Sequence, residues 1–277
     1  MTTLAAGVDW RTVSLPGIGS GTVAVVLGAG GAIGGATARA LLAMGASVAV
    51  ATRDLERSKA LAAEMGGGLE PGQRVLPVAA DLAAEGSLAA MAEVVAGHLG
   101  APTVLVNSAA IGAPHADVTE VTRHDVSTLF EVNVVGAYEA VQAVAPAMRA
   151  AGYGRIVNVA SVAGLRAMRG GVAYGVTKGA VITLTQQLAV ELAGDSITVN
   201  SVSPGQTPTK LRSIGEPAGT PQEAAAGSNS AIPLGRRGVL DDYVGAILFL
   251  SSDLVGYITG VDIPVEGGIR LVRPKSF

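Results

Sequence analysis

The chain has 277 residues, of which 49% are hydrophobic and 15% charged, too apolar for a disordered chain and sufficient for a large buried core. Nineteen basic against twenty-two acidic residues leave a net charge of −3, so the basic surplus that neutralises phosphates is missing and no nucleic-acid partner is expected. Without cysteine there is no disulfide framework and no thiolate metal site, and a reducing cytoplasm is the expected location. The uncharged run over 12–38 holds Pro16 and eight glycines and suits a membrane helix poorly. Residues 1–9 lack the basic start of a secretory signal.

Taken in chain order, residues 1–20 precede the first strand and are expected to form a mobile extension. Short β-branched runs then recur at 23–27, 48–51, 75–79, 104–106, 156–159, 197–202 and 263–265. Helix-length stretches alternate with them at 32–44, 55–65, 88–99, 126–149, 174–192 and 241–251. Asp54 and Ser87 read as N-caps, and Pro146 is expected to kink the fourth helix. Continuously apolar strands alternating with helices predict a parallel sheet covered on both faces. The expectation is one doubly wound (Rossmann) α/β domain over 21–277, with a seven-stranded parallel sheet. Between 207 and 238, four prolines and several glycines exceed an ordinary connection and predict a lid over the substrate.

The first strand runs into Gly28-Ala29-Gly30-Gly31-Ala32-Ile33-Gly34 and then a helix. Glycines there let the backbone turn and approach a pyrophosphate, which the N–H groups and positive end of the helix would meet; Gly28, Gly30, Ala32, Ile33 and Gly34 are therefore candidate cofactor residues. None of the four lysines follows a glycine, which excludes the Gly-Lys-Ser/Thr loop of nucleotide hydrolases. At the end of the second strand Thr52 takes the place of the acid that would bind the adenosine-ribose hydroxyls, and Arg53 follows. This favours NADP over NAD; the alternative makes Asp54 the ribose ligand and Arg53 a solvated charge. Asp81, after the third strand, either binds the adenine amino group or caps the next helix.

Tyr174 and Lys178 stand four residues apart, on one face of a helix. A phenol with a pKa near 10 is a poor acid–base group at neutral pH, and an adjacent cation stabilises the phenolate. Ser161 lies thirteen residues earlier at the end of the fifth strand, where its side chain can project beside a cofactor.

With these ordered motifs the chain resembles the classical short-chain dehydrogenase/reductase family, from Thr22 to Gly268. The motifs are the glycine loop, Asp81-Leu82, Asn107-Ser-Ala-Ala110, Asn133 in Val-Asn-Val-Val-Gly, Ser161, Tyr174/Lys178, Asn200-Ser-Val-Ser-Pro204-Gly205 and the segment from Tyr257 to Gly268. The resemblance implies a nicotinamide-dependent carbonyl reduction or alcohol oxidation. Tyr174 would exchange the proton, Ser161 orient the substrate oxygen, and Lys178 bind the nicotinamide ribose and depress the Tyr174 pKa. Asn133 would hold a water linking Lys178 to solvent. Leu82, Asn107, Pro204, Gly205 and Thr209 would add cofactor contacts. Ala32 replaces a family glycine, adding one methyl that is expected to be tolerated, and Ala110 replaces another, which loosens the backbone approach to the cofactor slightly.

His98, His115 and His124 lie in no metal-ligand spacing, and no Gly-x-Ser-x-Gly surrounds any serine, which disfavours metal and hydrolase chemistry. Arg166 and Arg169 either meet an anionic substrate or are solvated loop charges. Arg149 is the one basic residue between Tyr138 and Tyr153, which favours a free small ketone or alcohol over a β-ketoacyl thioester on an acidic carrier protein. A protein that binds NADP without turnover is the reading from a different class. The resemblance further implies a homo-oligomer, a tetramer or dimer, paired through the apolar fourth and fifth helices and the carboxy-terminal segment.

Overall fold

The computed structural model describes residues 7–113, 116–207, 211, 213 and 231–272. Seven strands form one sheet in the order β3-β2-β1-β4-β5-β6-β7, with every neighbouring pair parallel. They are β1 (Val23–Leu27), β2 (Ser47–Thr52), β3 (Val75–Ala79), β4 (Val104–Asn107), β5 (Gly154–Val159), β6 (Ile197–Pro204) and β7 (Asp262–Val265). The helices are α1 (Ala32–Ala43), α2 (Leu55–Met65), α3 (Ser87–Leu99), α4 (Arg123–Phe130), α5 (Gly136–Ala151), α6 (Val172–Leu192) and α7 (Leu240–Leu250). Pro77 sits on β3, an edge strand, where a missing N–H is tolerated.

Alternate residues of each strand divide between two cores. Val25, Leu27, Leu105 and Ile156 pack under α3, α5 and α6, whereas Ala24, Val26, Val106 and Val157 pack under α1, α2 and α7. A sheet buried on both faces needs apolar residues at consecutive positions, as the sequence of β1 supplies. The reversal of strand order between β1 and β4 opens a crevice at the carboxyl ends of these strands, where a doubly wound sheet binds its ligands.

Three local expectations are revised. The predicted helix over 126–149 begins earlier, at Arg123, and is divided by a π-helical turn, Glu131–Val135, between α4 and α5. Pro146 lies inside α5, which runs on to Ala151. Ser87 is the first residue of α3 rather than its cap: Gly86, at φ 76°, takes that place, and the Ser87 hydroxyl accepts the Asp81 N–H at 2.9 Å. From Gly7 onward the amino-terminal extension lies on α7, with the Val8 N–H and the Trp10 indole N–H donating to the Asp241 carboxylate. Pro16 further accepts the Asp253 N–H at 2.7 Å. Most of the expected lid lies outside the described residues; its return, from Ile232, is fixed by the Leu234 N–H to Gly267 and by the Arg236–Asp242 ion pair.

Candidate active site

The cofactor crevice starts at Gly28, whose φ of +74° and close contacts demand glycine: a Cβ there would lie 2.7 Å from the Ala109 nitrogen. The loop after β4 thus packs directly on the glycine loop, despite the alanine at 110. Gly31 opens α1 with no side-chain cap, so the first turn of Ala32, Ile33 and Gly34 presents N–H groups to the crevice. Asn107, buried at the end of β4, has a carboxamide oxygen that receives no donor. Unspent donors at a helix start beside an unspent buried acceptor fit a dinucleotide with its pyrophosphate on α1 and a ribose hydroxyl within reach of β4.

At the adenosine end the Thr52 hydroxyl donates to the Asp54 carbonyl at 2.7 Å, and the Asp54 carboxylate accepts the Glu56 N–H at 2.9 Å as the α2 cap. The alternative that made Asp54 the ribose ligand therefore meets a carboxylate engaged in capping, while Arg53 is exposed beside it. Arg57 is a residue that sequence reading passed over. Its guanidinium donates to the Gly30 carbonyl at 2.8 Å, bringing a second cation onto the loop. Its position one turn into α2, four residues beyond Arg53, was the available signal. Asp81 accepts the Ala83 N–H at 3.1 Å in a turn ahead of α3, so it caps no helix. Leu82 is buried against Gly136, so its side chain serves packing rather than a ligand.

Ser161 follows β5 and starts the short 3-10 turn Val162–Gly164, its hydroxyl accepting the Ala163 N–H at 3.2 Å. That hydroxyl also lies beside the Tyr174 phenol and favours its ionised form. A further residue missed in the sequence makes this meeting possible. A Cβ on Gly164 would lie 2.6 Å from the Gly179 nitrogen, so the turn after Ser161 rests on α6 backbone at the level of Lys178. Paired glycines at 164 and 179 were the signal.

Lys178 is buried and donates to the Val159 carbonyl at 2.8 Å. Its nitrogen stands 5.8 Å from the centre of the Tyr174 ring. The expected depression of the phenol is not found in the chain alone. Burial pushes Tyr174 up to about 12, with the neighbouring Ser161 hydroxyl pulling the other way, and burial lowers Lys178 to about 8. The lysine's hydrogen bond goes to the end of β5 rather than to the phenol oxygen.

Asn133 occupies the π-helical turn, a geometry frequent at functional sites. Its oxygen accepts the Ile111 N–H and its amide donates to the Ile111 carbonyl, both at 2.9 Å, and to the Thr177 hydroxyl at 3.2 Å. The Thr177 hydroxyl in turn donates to the Tyr174 carbonyl at 2.8 Å. Asn133 therefore joins the segment after β4 to the turn of α6 that carries Tyr174 and Lys178. Pro204 ends β6, and the Gly205 N–H extends the ladder to Val265 at 2.9 Å. Thr209 and His115 lie outside the described residues.

Arg166 donates to the Ile269 carbonyl at 2.6 Å and so ties the 162–172 loop to the carboxy-terminal segment. Arg169 lines an open groove of about 630 Å³ with Ala116, Val118, Met168 and Val172. Among the described residues no cluster of His, Asp and Glu could hold a metal ion, and no helix is long and apolar enough to cross a membrane.

Comparison with known proteins agrees with this architecture. Residues 28–270 match the family model described as enoyl-(acyl carrier protein) reductase. The D-threitol dehydrogenase of Mycolicibacterium smegmatis is 36% identical over 253 residues, covering 91% of this chain and 94% of that protein. A gluconate 5-dehydrogenase from Burkholderia cenocepacia, solved with NADP and tartrate, superposes with a TM-score of 0.82 at 29% identity, covering 96% and 99% of the two chains. A 3-ketoacyl-(acyl-carrier-protein) reductase from Brucella melitensis, solved with NADH, gives 0.80 at 30% identity, covering 91% and 99%. The fold and site define a nicotinamide-dependent oxidoreductase of the doubly wound class. The chain belongs to the short-chain dehydrogenase/reductase family.

Proposed function

We propose that this protein reduces a ketone to a secondary alcohol, and oxidises that alcohol in reverse, with NADPH as the favoured cofactor and Tyr174 as general acid and base. The observation that carries the reading is the placing of the Ser161 hydroxyl beside the Tyr174 phenol, with Lys178 one helical turn away. Two hydroxyls that meet each other can meet a single substrate oxygen, as carbonyl and alcohol chemistry requires. Threitol and gluconate dehydrogenases among the relatives support action on CH–OH groups.

When bound, the nicotinamide supplies or accepts the hydride. Ser161 donates to the substrate oxygen and fixes its position. In reduction the Tyr174 O–H gives its proton to that oxygen as the carbonyl becomes an alcohol; in oxidation the phenolate takes it back. Lys178 would hold the nicotinamide ribose, and a water at Asn133 would link Lys178 to solvent. Gly28, Gly30, Ala32, Ile33 and Gly34 would carry the pyrophosphate, Asp81 and the Leu82 backbone would border the adenine, and Asn107, Pro204, Gly205 and Thr209 would border the nicotinamide half.

Arg53 and Arg57 at the adenosine end, with Thr52 where an acid would repel a 2′-phosphate, support NADP over NAD. Arg149, the one basic residue that suggested a carrier-protein surface, is paired with Asp195 at 2.7 Å, which supports a free small substrate. Exposed Tyr138 on α5, together with Val176 and Val190 on α6, supports a homotetramer or dimer built on these helices. A cytoplasmic location suits a chain without cysteine.

The test is NADPH consumption by the purified protein against free ketones, sugars and β-ketoacyl thioesters, with Tyr174→Phe as control. Tyrosine-dependent turnover of a free ketone or keto-sugar is expected. Turnover confined to thioesters would establish the carrier-linked alternative, and cofactor binding with no turnover on any class would favour the non-catalytic reading.

A further inference from the structure

The carboxylate of Asp262 takes part in none of the chemistry above, yet it is placed with unusual economy. Asp262 opens β7 opposite Ser201 of β6, and one of its oxygens accepts both the Ser201 hydroxyl at 2.6 Å and the Ser203 hydroxyl at 2.8 Å. Both serines are fully buried. Residues two apart on a strand share a face, so one carboxylate oxygen grips β6 at two successive positions of the same face. The second of these immediately precedes Pro204 and Gly205.

The backbone explains why such a grip is needed there. Along β6 the N–H and carbonyl groups alternate in direction: the Ser201 N–H goes to Val261 on the β7 side, and the Val202 carbonyl accepts the Ala160 N–H on the β5 side. Pro204 is in phase with Val202, and it has no N–H to offer β5. Beyond Val202 the strand end is therefore held chiefly from β7, through the Gly205 N–H to Val265 at 2.9 Å and the Asp262–Ser203 bond. A Cβ on Gly205 would lie 2.7 Å from the Glu266 Cα, so this segment rests on β7 with no room to shift towards it.

We propose that Asp262 is a positioning residue that fixes Pro204–Gly205 for the nicotinamide end of the cofactor; this rests on the reading of Pro204–Gly205 as a cofactor contact. The second carboxylate oxygen is buried and receives no donor, a costly arrangement for a group whose task is stability alone. The grip needs an acceptor rather than a charge, so an amide at 262 can reproduce it.

The experiment titrates the protein with NADPH and, separately, with 2′,5′-ADP, which carries only the adenosine half. Both are binding measurements that require no turnover, so they remain informative if the proposed reaction fails. Asp262→Ala and Ser203→Ala are expected to raise the NADPH Kd about five-fold, the effect of one lost hydrogen bond, and to leave the 2′,5′-ADP Kd unchanged. Asp262→Asn is expected to restore wild-type binding. Ser203→Ala serves as the mild variant should Asp262→Ala fold poorly. Unchanged NADPH affinity in Ser203→Ala, parallel weakening of both ligands, or failure of the Asn variant to rescue a folded Ala variant would each overturn the proposal.

Discussion

Lys178 lies one helical turn from Tyr174, 5.8 Å from its ring centre, yet its hydrogen bond goes to the Val159 carbonyl. The pair is thus assembled by burial before it is tuned by charge, with the phenol held protonated and the ammonium held at a cost to folding.

That cost is measurable. Burial lowers Lys178 from 10.5 to about 8, so below pH 8 the folded chain bears the full penalty of a buried charge, about 3 kcal/mol. Between pH 8 and 10.5 the unfolded chain binds the extra proton, so this group makes stability rise with pH. Lys178→Met removes the penalty and forfeits the Val159 hydrogen bond, worth about 1 kcal/mol. We expect the variant to be more stable than wild type by about 2 kcal/mol at pH 7, with the gain lost by pH 10.5, in urea unfolding at several pH values. A destabilised variant at pH 7 would show that the ammonium is not strained.

Arg53 and Arg57 make a second prediction. Replacing either with alanine should weaken NADPH by about ten-fold, the scale of a charge-assisted hydrogen bond to phosphate, and leave NADH nearly unaffected. Equal losses for both cofactors, or a wild type that prefers NADH, would show that the end of β2 has been misread.

Gly164 makes a third. A methyl group 2.6 Å from the Gly179 nitrogen must push the turn after Ser161 away from α6. Gly164→Ala should cost about 1–3 kcal/mol of stability through overpacking. It should also lower turnover at least ten-fold, because Ser161 and Tyr174 no longer meet. Thermal melts and kcat measured on the same samples check both, and wild-type turnover would contradict the role given to Gly164.

Much of this architecture was legible in the sequence because it rests on local patterns. The seven strands announce themselves as short, β-branched apolar runs, and the Tyr174–Lys178 and Ser161–Tyr174 spacings survive folding because a helix and a strand end convert them directly into proximity. What stayed hidden depends on contacts between distant segments. The π-helical turn around Asn133 leaves no mark in composition. Ser87 has the chemistry of a cap, but Gly86 takes the left-handed position and the Ser87 hydroxyl turns to Asp81. Arg57 reaches Gly30 and Asp262 reaches Ser203 across gaps of 27 and 59 residues, which no local motif records.

The central claim is that Tyr174 is the proton-transfer group, and replacing it with phenylalanine tests this most directly, with kcat for ketone reduction and the NADPH Kd measured together. The account predicts a fall in kcat of roughly 10²–10⁴, typical for loss of a general acid, with the NADPH Kd within about two-fold of wild type. Turnover near the wild-type rate, or a loss explained entirely by weakened cofactor binding, would contradict it.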